Sequence, residues 1–398
     1  MYLKKSFKTL FNIFLSTSLV FFKQIIIAKF LLPEEYAFFS IVNLSSIVLM
    51  NFGAFGIYYY TNYKIRKNLN DKIKIKKYQS QLISAYLFLY PLSIIVVSLI
   101  FNLNLFDQIF VLAFFSFSYI LFTIIYLPIS LINHIDFSFN VLRKNIISFL
   151  VCVIIAILTK NILLTIFLES LSIYAYVFIY NRINNFTIKF DFKILFSELL
   201  KSKNYFFSTS TATILFLLVR SIASNTLNKE ELGNFFLGFL LVYIAQQVQY
   251  SISVIFTPTI TEKLNKNKIS NNYLNKIWFF LLCFAFIFYF ILFNLRIYFY
   301  DFFPNYKSLE ILFIPFCILG ISKMIDIWSI YFVLANKIKL NFYSNLSSIF
   351  FISLCFFYMY SNNLNNINNF YYLVLIEGLC ILFFPIIFFN LKHYFYND

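Results

Sequence analysis

KQIIIAKFLLPEEYAFF, residues 23–39, decides how this chain is read. An apolar helix runs into a short acidic turn, and a second apolar helix leaves it. The same design returns in RSIASNTLNKEELGNFF, residues 220–236. A shift of 196 residues lays Pro33-Glu34-Glu35-Tyr36-Ala37 on Lys229-Glu230-Glu231-Leu232-Gly233, and brings Lys23 within one position of Arg220. A chain of 398 residues that repeats itself at half its length reads as a duplication.

Working outward, apolar runs of about 20 residues recur from end to end, each long enough to cross a bilayer core of roughly 30 Å. Hydrophobic residues make up 61% of the chain and charged residues 12%. That balance excludes a soluble domain and defines a polytopic membrane protein. The 58 phenylalanines belong to a Phe, Ile, Asn, Lys and Tyr bias that suits an AT-rich genome, so they read as lipid-facing and packing residues. A net charge of +16 suggests nucleic acid at first sight, but the charges sit in alternate loops, as membrane topology demands. MYLKKSFK at the start does not read as a cleaved signal peptide. Cys152, Cys283, Cys317, Cys355 and Cys380 all fall in apolar helices without a Cys-x-x-Cys, which gives them no disulfide or metal role. His134 and His393 fall in loops, which leaves no histidine metal site or triad.

The hydropathy pattern predicts an all-α integral membrane fold of about 12 transmembrane helices. They run over about 7–31, 36–60, 80–101, 109–131, 145–159, 162–180, 204–227, 232–257, 277–299, 309–334, 342–360 and 370–389. Of the 32 basic residues, Lys29, Lys160, Lys229, Arg296 and Lys307 fall in or beside outer loops. Lys23, Arg220 and Lys323 fall within helices, and the rest lie on the opposite side. The positive-inside rule then puts both termini in the cytoplasm of a multi-pass protein of the bacterial inner membrane. The basic stretch NYKIRKNLNDKIKIKKYQ, residues 62–79, reads as a cytoplasmic loop for topology and contact with anionic lipid. Six spans per half give parallel repeats, expected as an N-terminal six-helix bundle over 1–198 and a C-terminal one over 199–398. At the same shift Asn140-Val-Leu-Arg-Lys-Asn145 falls on Asn336-Lys-Ile-Lys-Leu-Asn341; each half also closes on a helix with one acid, Glu169 and Glu377, here at a shift of 208. Pro91, Pro128, Pro315 and Pro385 fall inside predicted helices, where each removes a backbone hydrogen bond and favours a kink.

Several segments resemble the polysaccharide flippases, the Wzx-type exporters of O-antigen and teichoic-acid units. They are IIIAKFLLPEEYAFFSIV at 25–42, NFGAFGI at 51–57, NKEELGNFFLGF at 228–239, FFPNYKSLEILFIP at 302–315 and VLANKIKLNFYSN at 333–345. Lys29 stands where that family has Arg, Leu32 where it has Gly, and Ala37 where the hairpin has a second Gly. The resemblance implies a MOP-type fold, two pseudo-symmetric bundles that open alternately to each side in a MATE-like V. It implies an undecaprenyl-pyrophosphate-linked oligosaccharide as cargo for surface polysaccharide and lipopolysaccharide assembly. Membrane lipids and polysaccharide polymerase or assembly proteins are the other implied partners, without nucleic acid.

Charges inside apolar helices carry the chemistry, because a mid-helix cation costs about 2.5–3.5 kcal/mol to insert and turns toward a bundle interior or a wet cavity. Lys23, Arg220 and Lys323 are the candidate substrate-binding residues, suited to the dense charge of a pyrophosphate. Snorkelling to the surface is the alternative for Lys23. Lys323 and Asp326, three apart on one predicted helix, form either an internal ion pair or a cargo cation with a coupling acid. Glu169 and Glu377 either titrate, coupling transport to H+ or Na+, or make structural hydrogen bonds. Glu34-Glu35 and Glu230-Glu231 are expected at helix N-termini, where carboxylates complement the dipole. No Walker A, nucleotide-binding Gly-rich loop or Gly-x-Ser-x-Gly is present, so the chain does not read as an enzyme or an ATP-driven pump, and it calls for no cofactor. The readings left open beside the flippase are a cation-coupled drug or small-solute exporter of the same fold, and an integral-membrane glycan polymerase or glycosyltransferase.

Overall fold

A computed structural model describes residues 2–390 apart from 69–70, 104, 133, 182–191, 266–270, 307–308, 335–336 and 363–366. His393, Lys307 and most of the basic loop after residue 181 lie outside the described residues. Among the described residues the structure is helical, with no strand. The first elements are α1 (Tyr2–Phe30), α2 (Pro33–Phe52), α3 (Ile57–Lys67), α4 (Lys72–Ile100), α5 (Phe106–Ile132), α6 (His134–Thr159) and α7 (Ile162–Asn181). They are followed by α8 (Phe192–Thr226), α9 (Lys229–Asn265), α10 (Asn271–Asn294) and α11 (Arg296–Phe302). The chain ends with α12 (Leu309–Met324), α13 (Ile327–Leu334), α14 (Ile338–Ser361) and α15 (Ile367–Asn390).

Among the described residues, eight helices are long and apolar enough to cross a membrane: α1, α4, α5, α6, α7, α10, α14 and α15. The other four expected spans fall on α2 with α3, on α8, on α9 and on α12 with α13, which are either broken or richer in polar residues. Pro91, Pro128, Pro315 and Pro385 all lie inside helices, as do the five cysteines.

Several helices run past their apolar spans. The stretch expected as a loop over 62–79 is largely helix: α3 continues to Lys67 and α4 begins at Lys72, capped by the Asp71 carboxylate on the Lys74 N–H at 3.0 Å. That hydrogen bond holds the Asp71 carboxyl below its usual pKa. α6 starts at His134 and α8 at Phe192, each about a dozen residues before the predicted span. Hydropathy marks only the part of a helix that meets lipid, so charged extensions escape it. The span expected over 36–60 breaks where Phe55 and Gly56 take φ of 45° and 78°. The break at Ile325-Asp326 splits the span expected over 309–334, and there the Gln249 side chain donates to the Asp326 carbonyl at 3.1 Å. Such side-chain bonds re-satisfy backbone that a broken membrane helix frees. The short turn at Thr159-Lys160-Asn161 is present, with Lys160 at φ 49°.

The chain forms two compact units. Unit 1 comprises Met1–Leu31 and Phe38–Thr213; unit 2 comprises Leu32–Ala37 and Ile214–Asp398. The division falls inside α8.

In unit 1, α4 packs on α5, α5 on α7, and α6 on α7. In unit 2 the repeat-related helices pack in the same pairs: α10 on α12, α12 on α15, and α14 on α15.

Unit 1 also carries an extensive α1–α6 seam built from small and polar side chains. Asn12 Nδ2 donates to Ser138 Oγ at 3.2 Å, and Asn145 Nδ2 to Ser16 Oγ at 2.6 Å. The spacing of Asn12, Ser16, Lys23 and Ile27 keeps them on one face of α1, and all four are buried. Lipid supplies no hydrophobic drive between helices, so close packing and cross-helix hydrogen bonds hold such a seam.

Candidate functional site: a buried ion pair in each unit

In unit 1 the α1 stripe brings Lys23 into the core at 1% exposure. The α7 stripe of Ile162, Ile166, Glu169, Ile173 and Val177 is buried throughout and presents Glu169 at 0% exposure. Lys23 Nζ and Glu169 Oε1 lie 2.5 Å apart. Ser148 Oγ on α6 donates to the same oxygen at 2.5 Å, and Tyr119 OH on α5 donates to it at 3.3 Å. Lys23 Nζ also donates to Ser148 Oγ at 3.3 Å. Glu169 Oε1 is thus saturated, while the buried Oε2 has no hydrogen-bond partner among the described residues.

A second cation shares this core. Lys144, one helical turn before Ser148 on α6, is buried with its Nζ over the Tyr119 ring at 4.3 Å and the Phe122 ring at 4.9 Å. It lies within electrostatic range of both Lys23 and Glu169, yet it makes no ion pair among the described residues. Hydropathy puts Lys144 in a cytoplasmic loop, because the apolar span begins at residue 145. Lys144, Ser148 and Cys152 at i, i+4 and i+8 form a polar stripe, which is the signal that would have found it.

Unit 2 repeats the pair with different chemistry. Arg220 on α8 is 2% exposed and Glu377 on α15 is 0% exposed, with Nη1 and Oε1 at 3.3 Å. Nη1 also donates to the Phe216 carbonyl one turn back. The guanidinium carbon lies 4.1 Å from the Phe216 ring centroid and 3.9 Å from that of Phe239 on α9, so the cation is held between two rings. Arg220 Nη2 and Glu377 Oε2 are buried without hydrogen-bond partners among the described residues. Ser344, at the repeat shift from Ser148, is buried but does not bond Glu377.

Lys323, half-buried at the end of α12, has its Nζ 5.9 Å from the Phe216 ring centroid and within electrostatic range of Glu377, Arg220 and Asp326. The helix break separates Lys323 from Asp326, so they are not neighbours on one helix face.

Each predicted cation at this depth is therefore placed with a predicted acid: Lys23 with Glu169, and Arg220 with Glu377. Lys23 does not snorkel. Its amine points into the bundle and ends on a carboxylate.

The acidic corners are helix starts. Glu35 Oε2 accepts from the Leu32 N–H at 3.1 Å in the first turn of α2. At the start of α9, Asn228 and Glu231 form a reciprocal capping box: the Glu231 N–H donates to Asn228 Oδ1 at 2.8 Å and the Asn228 N–H to Glu231 Oε2 at 3.4 Å. Ala37 sits buried within α2, a helical position that accepts its methyl group.

No protein-family model and no curated protein matches the sequence. Solved structures do. A multidrug resistance MATE family transporter of the MOP superfamily, in an inward-facing conformation, overlays with a TM-score of 0.58 at 12% identity, over 97% of this chain and 94% of that one. A chain described only as "protein A" overlays at 0.57 and 12% identity, over 98% and 95% of the two chains. A MATE in the bent conformation, at 10% identity over 98% and 96%, reaches 0.43, too low to bear on the fold. Among the described residues the protein is an all-α, multi-pass membrane protein that shares its fold with that first transporter.

Proposed function

We propose that the protein is an alternating-access transporter that moves an anionic, lipid-linked oligosaccharide from the cytoplasmic to the outer leaflet of a bacterial inner membrane. The fold it shares with a transporter supports transport. The single observation that carries the anionic cargo is Lys144. Unit 1 buries two lysines, Lys23 and Lys144, around one glutamate, and Lys144 has aromatic faces where a counter-ion would sit. A cation without a counter-ion in an apolar bundle is costly, and an arriving phosphate group would offset that cost.

In this reading the cargo's pyrophosphate meets Lys144 first. It then competes with Glu169 for Lys23, while within unit 2 Arg220 and Lys323 beside Glu377 remain the candidate cations. The sugars differ between glycans, whereas the pyrophosphate is common to them. The positive-inside charge distribution supports cytoplasmic termini. Transport without chemistry fits a chain in which no Walker A, nucleotide-binding Gly-rich loop or Gly-x-Ser-x-Gly is read.

Deletion in the native host should accumulate lipid-linked oligosaccharide on the cytoplasmic face. Lys144→Gln should lower surface glycan about ten-fold at normal protein level, the scale of one lost charge-assisted hydrogen bond. Full surface glycan in Lys23→Ala, Arg220→Ala and Lys144→Gln alike would sink the charge-handle reading.

One observation favours a second reading, a cation-coupled exporter of drugs or small solutes. Glu169 Oε2 and Glu377 Oε2 are buried with no hydrogen-bond partner among the described residues, which suits a proton or sodium ion. The drug-resistance role named for the MATE neighbour points the same way. Raised drug resistance on expression, abolished by Glu169→Gln, with unchanged glycan on deletion, would select it.

A further inference from the structure

Away from its ion-paired core, unit 1 gathers a second set of charges where α3, α4 and the first part of α8 meet. Lys64 on α3 is the hub. Its amine pairs with the Glu198 carboxylate on α8 and lies 4.5 Å from the Tyr60 ring centroid and 5.2 Å from that of Tyr78 on α4. One turn further along α8, Ser202 Oγ donates to the Phe55 carbonyl at 3.1 Å. A methyl group built on Gly56, at φ 78°, would lie 2.7 Å from the Phe206 nitrogen, so glycine lets the chain break press against α8.

The hub brings the flanking lysines to one end of the unit and leaves them outside. Lys76 and Lys77 precede Tyr78 on α4, and Lys201 and Lys203 follow Glu198 on α8. All four are exposed and make no ion pair among the described residues. Asp71, the acid beside them in sequence, is engaged in capping α4 and in a pair with Lys74 at 3.2 Å.

Exposed apolar side chains share the same faces. On α4, Ile73, Lys77, Leu92, Ile95 and Leu99 are exposed on one side, while Ile75, Gln79, Leu82 and Tyr86 are buried on the other. From Lys77 to Leu99 the helix rises about 33 Å at about 1.5 Å per residue, against roughly 30 Å for a bilayer core. With Leu99 at one surface of the bilayer, Lys77 stands at the phosphates of the other. On α8, Phe196, Leu200, Lys203 and Phe207 are exposed on one face, a lysine set among apolar side chains. A nucleic acid or an acidic protein calls for a polar basic surface. Lysines interleaved with exposed Ile, Leu and Phe match headgroups lying above acyl chains.

We propose that this end of unit 1 is a binding site for anionic phospholipid. Lys76, Lys77 and Lys203 hold the headgroup phosphates, and the exposed faces of α4 and α8 take the acyl chains. The Lys64–Glu198 pair fixes α4 and α8 so that lysines distant in sequence serve one cluster of lipids. Several lysines acting together select anionic over zwitterionic lipid. The site does not rest on the transport reading.

The test gives the full chain, purified in a neutral detergent, equimolar phosphatidylglycerol and phosphatidylcholine with matched acyl chains. Native mass spectrometry counts the lipids retained. Phosphatidylglycerol should be retained about ten-fold better. Lys76→Gln, Lys77→Gln and Lys203→Gln combined should abolish that preference, and arginine at the same three positions should keep it. Lys29→Gln, Lys160→Gln and Lys229→Gln combined remove the same charge from exposed positions elsewhere and should leave it intact. Equal retention of the two lipids, a preference that survives the first glutamine set, or equal loss in both glutamine sets would each overturn the site. Displacement of the lipid by glycerol 3-phosphate at equal concentration would assign the lysines to a soluble phosphate, and displacement by poly-glutamate to an acidic protein. Either result overturns the lipid assignment. An unchanged glycan on deletion overturns the cargo reading alone and leaves this site standing.

Discussion

The two buried ion pairs answer the same problem in opposite ways. In unit 1 the carboxylate is crowded: Glu169 Oε1 takes Lys23, Ser148 and Tyr119, and the cation is an ammonium that needs oxygen partners. In unit 2 the cation is crowded: Arg220 lies between Phe216 and Phe239 and bonds a backbone carbonyl, while its carboxylate is 3.3 Å away with no second donor among the described residues. An ammonium is a strongly hydrated point charge, so taking it out of water requires hydrogen-bond acceptors. A guanidinium is planar and weakly hydrated, so ring faces suffice. The duplicated plan therefore fixes a cation on the first helix of each half and an acid on the last, and the residue type of the cation decides what surrounds it.

This contrast predicts an order of sensitivity. Glu169→Ala should have the largest effect, about 3–5 kcal/mol of lost stability, because it leaves Lys23 buried beside an already unpaired Lys144. Thermal unfolding of purified protein in detergent measures it, and a loss no greater than that of Glu377→Ala would break the comparison. Glu377→Ala should cost less, about 1.5–3 kcal/mol, because Arg220 keeps both rings and the Phe216 carbonyl. Next comes Phe239→Leu, which keeps apolar volume but removes one ring face from the guanidinium. About 0.5–2 kcal/mol is expected, with the loss absent in an Arg220→Met background, where no cation remains to stack. Smallest is Ser148→Ala, about 0.5–1.5 kcal/mol, since the ion pair survives without its bridging hydroxyl. Ser344→Ala, at the repeat-related position that does not reach Glu377, should be close to neutral and serves as the control.

Much of this arrangement was legible in the chain. The acidic corners read as helix starts because a short carboxylate run beside an apolar run has few other roles, and both form first-turn hydrogen bonds to the backbone. The Thr159-Lys160-Asn161 turn and the in-helix prolines were equally local. The ionisable residues Lys23, Glu169, Arg220 and Glu377 stood out because lipid-depth charges are expensive, and that cost acts on any fold. Lys144 was missed because it sits where apolar sequence begins, a place hydropathy assigns to a loop. The breaks at Gly56 and Asp326 were missed because nothing in the local pattern separates a bent span from a straight one.

Sequence alone determined the class, the repeat and the set of buried charges, since each follows from transfer energies and spacing that do not depend on what packs against what. Only the tertiary structure decided which cation meets which acid, and that Lys144 has rings for company. Partners brought together from positions more than a hundred residues apart depend on helix rotation and packing register, and a change of one residue in register turns a helical side chain by about 100°.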